Sequence, residues 1–350
     1  MRILIVGYFG YENGQIDGQT IKTRSVYELI STALPECTLD YYDTQAFQNN
    51  KVSILSLLKA LWYTDVLVYL PGLRNLTLLF PIIHLICRLR AISMVNIVVG
   101  GWLAEFLSAR PNFQSKFKSF DSILVETRGL ENILQEKFNL TNVKQFPNFR
   151  IQDFTPKPVA SETFRIVFMA RVTMLKGIKS LLDYAEYILQ QKEGVLRPMI
   201  IDFYGPIDSE IKEWFLEEIA KYQFVSYKGV TEPSLVHEVL QNYDVLVLPT
   251  KYPGEGFPGT VVDAYISGIP VIVSEWKYLP EAVLPGKTGF IYSLDRPFDL
   301  FNYLNLLSKD HALLSLMKKH AIESSRDYSK EKALTILVPI LNKIKEKKPQ

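Results

Sequence analysis

The chain has 350 residues, 48% of them hydrophobic and 22% charged, with a formal net charge of +2. That length suits two domains of about 150 to 200 residues better than one core, and the composition excludes disorder. Near-neutrality excludes a whole-chain electrostatic footprint for nucleic acid; the small basic excess lies before residue 155, where 15 Lys and Arg face 13 Asp and Glu, against 24 and 24 afterwards.

Met1 and Arg2 lead straight into the apolar run Ile3 to Val6, a strand pattern too short for the apolar region of a secretory signal. Cys37 and Cys87 lie in dissimilar surroundings without a Cys-x-x-Cys or Cys/His cluster, so neither disulfides nor zinc are expected and a reducing cytoplasm fits. A loop rich in Gly, Asn and Asp follows the first strand, and a helical pattern runs from about Gly18 to Ala33. Gly18, near that helix start, is expected to let a ligand approach the backbone. Lys22 and Arg24 either add positive charge for a bound acceptor or are solvated helix charges.

Further runs rich in β-branched residues stand at Asp65 to Leu70, Val95 to Val99 and Ser122 to Val125, with helical stretches between them, the pattern of a parallel sheet covered on both faces. Leu76 to Cys87 is nearly all apolar and precedes Arg88 and Arg90. It is too short for the roughly 20 residues a bilayer span needs. It reads either as a buried crossover helix or as a helix on the membrane surface with its arginines at lipid phosphates. Gly100, Gly101 and Trp102 follow a strand; the glycines leave room for a sugar or acceptor, and Trp102 either stacks on a sugar ring or fills the core.

Between Phe149 and Thr163 the chain loses periodicity and carries two prolines, marking an interdomain linker. The strand-helix alternation then restarts: strands at Arg165 to Ala170, Met199 to Tyr204, Phe224 to Lys228, Asp244 to Pro249 and Val271 to Ser274, with helices between. Two doubly wound α/β domains facing across a cleft are expected, 1–155 and 156–328. The last segment, 329–350, places Ala333, Leu337, Ile340 and Ile344 at helical spacing around Pro339, and a kinked terminal helix crossing back is expected.

Two loops carry chemistry. Arg171 and Lys176 follow a strand end, five residues apart across a short turn, so a planar fork of donors and a compact cation converge on a diphosphate. The second loop holds Glu255, Gly256, Phe257 and Pro258 before a helix that begins near Gly259 and Thr260, whose first N–H groups, with that of Val261, point at an anion. Eight positions after Glu255 comes Asp263, a turn inside that helix, so both carboxylates can face one ligand and accept hydroxyl hydrogen bonds. No Asp-x-Asp motif occurs, and no metal or cofactor is expected. His84, His237, His311 and His320 lie in helical stretches away from these loops and read as structural or solvated.

The segment Glu-Gly-Phe-Pro-Gly-Thr-Val-Val-Asp, 255–263, resembles the E-x7-E region of the family-4 retaining glycosyltransferases, those of bacterial surface-polysaccharide synthesis in particular. Phe168 to Gly177 resembles that family's G-R-x4-K-G phosphate clamp, with Ala170 where glycine is usual, and the Ile3 to Gly7 strand with its loop resembles its first strand and loop. The resemblance implies a GT-B fold of two Rossmann-like domains, the second holding a nucleotide-diphosphate sugar and the first a saccharide or lipid-linked acceptor. It also implies hexosyl transfer with retention by a front-face route, and a peripheral place on the inner membrane face. Glu255 is implied to position donor-sugar hydroxyls and Asp263 to reach the ribose; being one methylene shorter than the usual Glu, Asp263 does so through water or a shifted helix. A nucleotide-sugar epimerase of the same architecture, or a non-catalytic binder of sugar nucleotides, is the alternative. A nicotinamide dehydrogenase is disfavoured, because the first strand leads into Gly7-Tyr-Phe-Gly10 and not G-x-G-x-x-G.

Overall fold

A computed structural model describes residues 1–347 except 13, 16, 158, 160 and 192–196. Asn13 and Ile16 of the first loop, and Pro158 and Ala160 of the expected linker, therefore lie outside the described residues. The chain divides into two compact units, Met1–Ile151 with Tyr328–Gln350, and Gln152–Asp327. Each is built on a six-stranded parallel sheet flanked by helices.

The first unit contains β1 (Arg2–Gly7), β2 (Thr38–Asp43), β3 (Val66–Leu70), β4 (Ser93–Ile97), β5 (Ser122–Val125) and β6 (Val143–Gln145), in the order β2-β1-β3-β4-β5-β6. β3 and β5 are buried at every residue, as strands covered on both faces must be, and this is why they read as unbroken apolar runs. β1 pairs with β3 from Ile3 opposite Val66 to Gly7 opposite Leu70. The chain leaves β1 for β2 on one side and returns to β3 on the other, so a crevice opens at the carboxyl ends of β1 and β3.

The terminal helix Lys330–Lys347 belongs to this unit. Its stripe Ala333, Leu337, Ile340, Leu341 and Ile344 is buried in one cluster with Ile3, Ile5, Val26 and Val68, because an apolar helical stripe is stable only against another apolar face. The expected crossing back is thus present, and residues 330–347 are part of the first unit's core, not a separate tail. The helix is continuous through Pro339. Where the chain leaves and re-enters the unit, the Arg150 N–H donates to the Tyr328 carbonyl at 3.0 Å.

The second unit contains β7 (Phe164–Met169), β8 (Met199–Tyr204), β9 (Val225–Tyr227), β10 (Val245–Leu248), β11 (Val271–Ser274) and β12 (Gly289–Tyr292), in the order β12-β11-β10-β7-β8-β9. Here the direction reverses between β7 and β10. The loops that follow these two strands, 170–177 and 249–258, are the two singled out from sequence.

Sequence reading does not find β2, β6 and β12, all edge strands. β2 is exposed or half-buried at five of six positions, so it lacks the apolar run that marks the central strands. The apolar stretch 76–87 divides into the helices Leu73–Leu78 and Phe80–Leu89. Leu76, Leu79, Phe80, Ile83 and Cys87 are buried, as the buried-helix reading expects of one face, while Leu78, Ile82, Leu85 and Leu89 on the other are exposed. Among the described residues no helix is long and apolar enough to cross a membrane.

Candidate active site

After β7 the backbone turns through Thr173, whose side chain accepts from the Lys176 N–H, into a single 3₁₀ turn, Met174–Lys176, that ends on Gly177 in the left-handed region at φ 76°. A Cβ on Gly177 would stand 1.9 Å from the Pro249 carbonyl oxygen at the end of β10. Only glycine lets the two loops approach this closely, and the approach turns Lys176 inward.

Its ammonium donates to Glu255 Oε2 at 2.7 Å, and Thr250 Oγ1 donates to the same oxygen at 2.8 Å. The two charged side chains are 11% and 8% exposed, so the pair interacts with little solvent screening. Tyr252 lies beside it: its ring centroid is 5.1 Å from the Lys176 ammonium and 5.4 Å from the Arg171 guanidinium. Arg171 itself is exposed. The reversal between β7 and β10 therefore gathers two cations, a carboxylate, a hydroxyl and an aromatic ring. Sequence reading assigned no role to Thr250 or Tyr252; their signal is position alone, directly after an apolar strand and before three glycines.

The following helix, Gly259–Ile266, starts after Pro258 with no side-chain cap. Gly256 and Phe257 are buried ahead of it, and Pro258, Gly259 and Thr260 are half-buried. The Val261 N–H is not free for an anion as expected, because it donates to the Pro258 carbonyl at 3.1 Å. The open N-terminus thus consists of Gly259 and Thr260. Asp263 is buried in this helix, and its Oδ1 lies 3.1 Å from Nε2 of buried His237. His237 is buried and not solvated, and it lies against one of the two acids and not away from them. No local motif connects positions 26 apart.

The first unit's candidates divide. Gly18 is the first residue of the helix Gly18–Ala33, capped by Asp17, which accepts from the Thr20 N–H. A Cβ there meets nothing within 4 Å, so internal packing sets no demand for glycine. A crevice of about 260 Å³ opens beside it, lined by Tyr8, Gln15, Asp17 and Gln19 after β1 and by residues 72–75 after β3.

Lys22 is not a solvated charge: it is 2% exposed, donates to the Pro147 carbonyl at 2.7 Å and lies over the rings of Phe146 and Phe149. Burial pushes its ammonium down to about 7; the nearby Glu126 carboxylate opposes that shift and Arg150 adds to it. Arg24 holds the loop after β1, donating to the carbonyls of Phe9, Gly10 and Gln15 at 2.8, 3.1 and 3.4 Å. Gly101 is buried beside Gly100, whose N–H donates to Glu126 at 3.0 Å. Half-buried Trp102 donates its indole N–H to the Val99 carbonyl at 2.7 Å and meets Phe106 edge-on.

A family model described as glycosyl transferases group 1 matches residues 150–324, half of the 350-residue chain. The chain belongs to this family. Its relatives include proteins named for polysaccharide biosynthesis. The amylovoran biosynthesis glycosyltransferase AmsK of Erwinia amylovora is 29% identical over 167 residues, 45% of this chain and 38% of the relative. The N,N'-diacetylbacillosaminyl-diphospho-undecaprenol alpha-1,3-N-acetylgalactosaminyltransferase of Campylobacter jejuni is 31% identical over 163 residues, 47% of this chain and 40% of the relative. In both, the match spans less than half of the relative's length.

Among solved structures, the sucrose-phosphate synthase of Thermosynechococcus elongatus superposes with a TM-score of 0.78 at 14% identity, covering 99% of this chain and all of that one. Anabaena Alr3699/HepE, solved with UDP and glucose, gives 0.73 at 13%, covering 98% and 100%. These likenesses show the two-domain GT-B fold of the group 1 glycosyltransferase.

Proposed function

We propose that the enzyme transfers a hexose, with retention, from a nucleoside-diphosphate sugar held by the second unit to a saccharide or lipid-linked acceptor, in the synthesis of a surface polysaccharide or glycan. The observation that carries this reading is the convergence of Arg171 and Lys176 beside Glu255 where β7 and β10 diverge, the place where doubly wound sheets bind ligands. The relatives' roles in polysaccharide synthesis, and the UDP and glucose bound to a protein of the same fold, point the same way.

In this reading the donor diphosphate lies against Arg171, Lys176 and the Gly259 and Thr260 N–H groups. As the bond to the anomeric carbon breaks, negative charge grows on the leaving phosphate, and fixed positive groups there stabilise the transition state more than the bound substrate. The diphosphate draws Lys176 from Glu255, whose carboxylate then accepts from donor-sugar hydroxyls. On the front-face route the leaving phosphate takes the acceptor proton, so Glu255 is not the nucleophile. Asp263 accepts from the ribose hydroxyls. In the first unit, Gly18, where a side chain would meet only space, and the crevice beside it leave room for a bound ligand, which in this reading is the acceptor.

The test is kinetic. Arg171→Ala and Lys176→Ala should each lower turnover at least about tenfold, a loss near 1.4 kcal/mol of transition-state stabilisation. Wild-type rates in both variants would remove the clamp from the mechanism.

A further inference from the structure

We infer that His237 is a positioning residue that orients Asp263 toward the nucleotide. This rests on the reading above, in which Asp263 meets the ribose, and adds to it a residue that the sequence motif does not contain.

Asp263 projects from the middle of the helix Gly259–Ile266, and a carboxylate free to turn about its side-chain bonds would lose that freedom on binding a sugar hydroxyl. His237, on the neighbouring helix Val236–Leu240, places Nε2 3.1 Å from Oδ1. An ionised carboxylate only accepts hydrogen bonds, so the ring nitrogen facing it is the donor, which assigns the proton to Nε2. The ring is held in turn: His237 is 4% exposed, and Phe154 packs on it with centroids 5.4 Å apart and planes tilted by 42°. A hydrogen bond to one carboxylate oxygen sets the plane of the group and so the direction of the other oxygen. Locking a ligand-binding group through a partner that does not itself touch the ligand is how sites gain affinity without new contacts.

Calorimetry with UDP, GDP, ADP and dTDP selects the diphosphate the wild type binds most tightly, and that ligand and inorganic pyrophosphate are then titrated into the variants. His237→Phe keeps a ring against Phe154 and removes the donor; it should weaken the nucleotide about tenfold. His237→Gln, whose amide nitrogen stands near the lost Nε2, should stay within about threefold of wild type. Pyrophosphate, which has no ribose, should bind all variants alike. In an Asp263→Ala background, His237→Phe should add no further loss.

Wild-type affinity in His237→Phe overturns the inference. So does an equal loss in the Phe and Gln variants, or a parallel loss of pyrophosphate, since either indicates damage to the fold and not to orientation. Unchanged nucleotide affinity in Asp263→Ala removes the ribose contact itself, and the inference falls with it. A loss in Asp263→Ala with none in His237→Phe leaves the ribose contact standing and refutes His237 alone.

Discussion

Lys176 and Glu255 neutralise each other at 2.7 Å, and this contact alters what a substitution at either does. Removing the carboxylate leaves a buried ammonium without its partner, a change that typically costs about 3 kcal/mol or more. Glu255→Ala should therefore melt earlier than wild type, and a nucleoside diphosphate should restore more of its stability than it adds to wild type, because the diphosphate supplies the missing charge. Its affinity for the free diphosphate should equal or exceed that of wild type while turnover falls. Asp263→Ala should do the opposite for binding, losing about 0.5 to 3 kcal/mol of nucleotide affinity. Calorimetry and thermal melts on the two variants check this; equal losses of nucleotide affinity in both would overturn the division of roles. At this scale the motif residues were legible because they lie in two contiguous segments that each follow an apolar strand. His237 and Lys22 were not. A histidine in a helix reads as structural or solvated, and a lysine as solvated or ligand-facing, until one knows what packs over it, and Lys22 meets its carbonyl 125 positions away.

Among the elements, the helices Ile54–Trp62, Leu73–Leu78 and Phe80–Leu89 share an unusual surface. Leu55 and Trp62 are exposed on the first, and Ile82, Leu85 and Leu89 on the third, with Leu89 76% exposed. The two stripes adjoin, since the Arg90 guanidinium lies 4.5 Å over the Trp62 ring. Residues 51–92 carry Lys51, Lys59, Arg74, Arg88 and Arg90 against the single acid Asp65, which accepts from the Arg2 N–H. Clustered apolar side chains among cations fit an anionic lipid surface, and we propose that the enzyme docks there peripherally on the inner membrane face. It should sediment with phosphatidylglycerol vesicles at low salt and be released as salt rises, the attraction being screened over about 8 Å at physiological ionic strength. Leu85→Asp with Leu89→Asp should abolish binding. Failure of the wild type to bind at low salt would leave this face as plain surface. The sequence displayed the apolar run; that one side of it faces the core and the other water was decided by where β3, β4 and the following helices pack.

At the scale of the whole molecule, both sheets reverse direction once, and each reversal marks a candidate site: the crevice after β1 and β3, and the Lys176–Glu255 cluster after β7 and β10. Because two cations and a helix N-terminus already meet the proposed diphosphate, activity should persist in excess EDTA; complete loss restored by Mg²⁺ or Mn²⁺ would show that a metal shares the clamp. By itself the sequence determined the class of each unit and singled out the two loops proposed to carry the chemistry, because central parallel strands and strand-loop-helix turns are written in contiguous residues. The edge strands β2, β6 and β12, half open to solvent, carry too little apolar signal for that. The return of residues 330–347 to the first unit was expected, but which strands and helices their stripe fills was not. Nor could the sequence decide that Glu255 pairs with Lys176, 79 positions away, that His237 holds Asp263, or that Lys22 and Arg24 turn inward. Those contacts join segments that only folding brings together, and a side chain's charge specifies that it needs a partner without specifying which one.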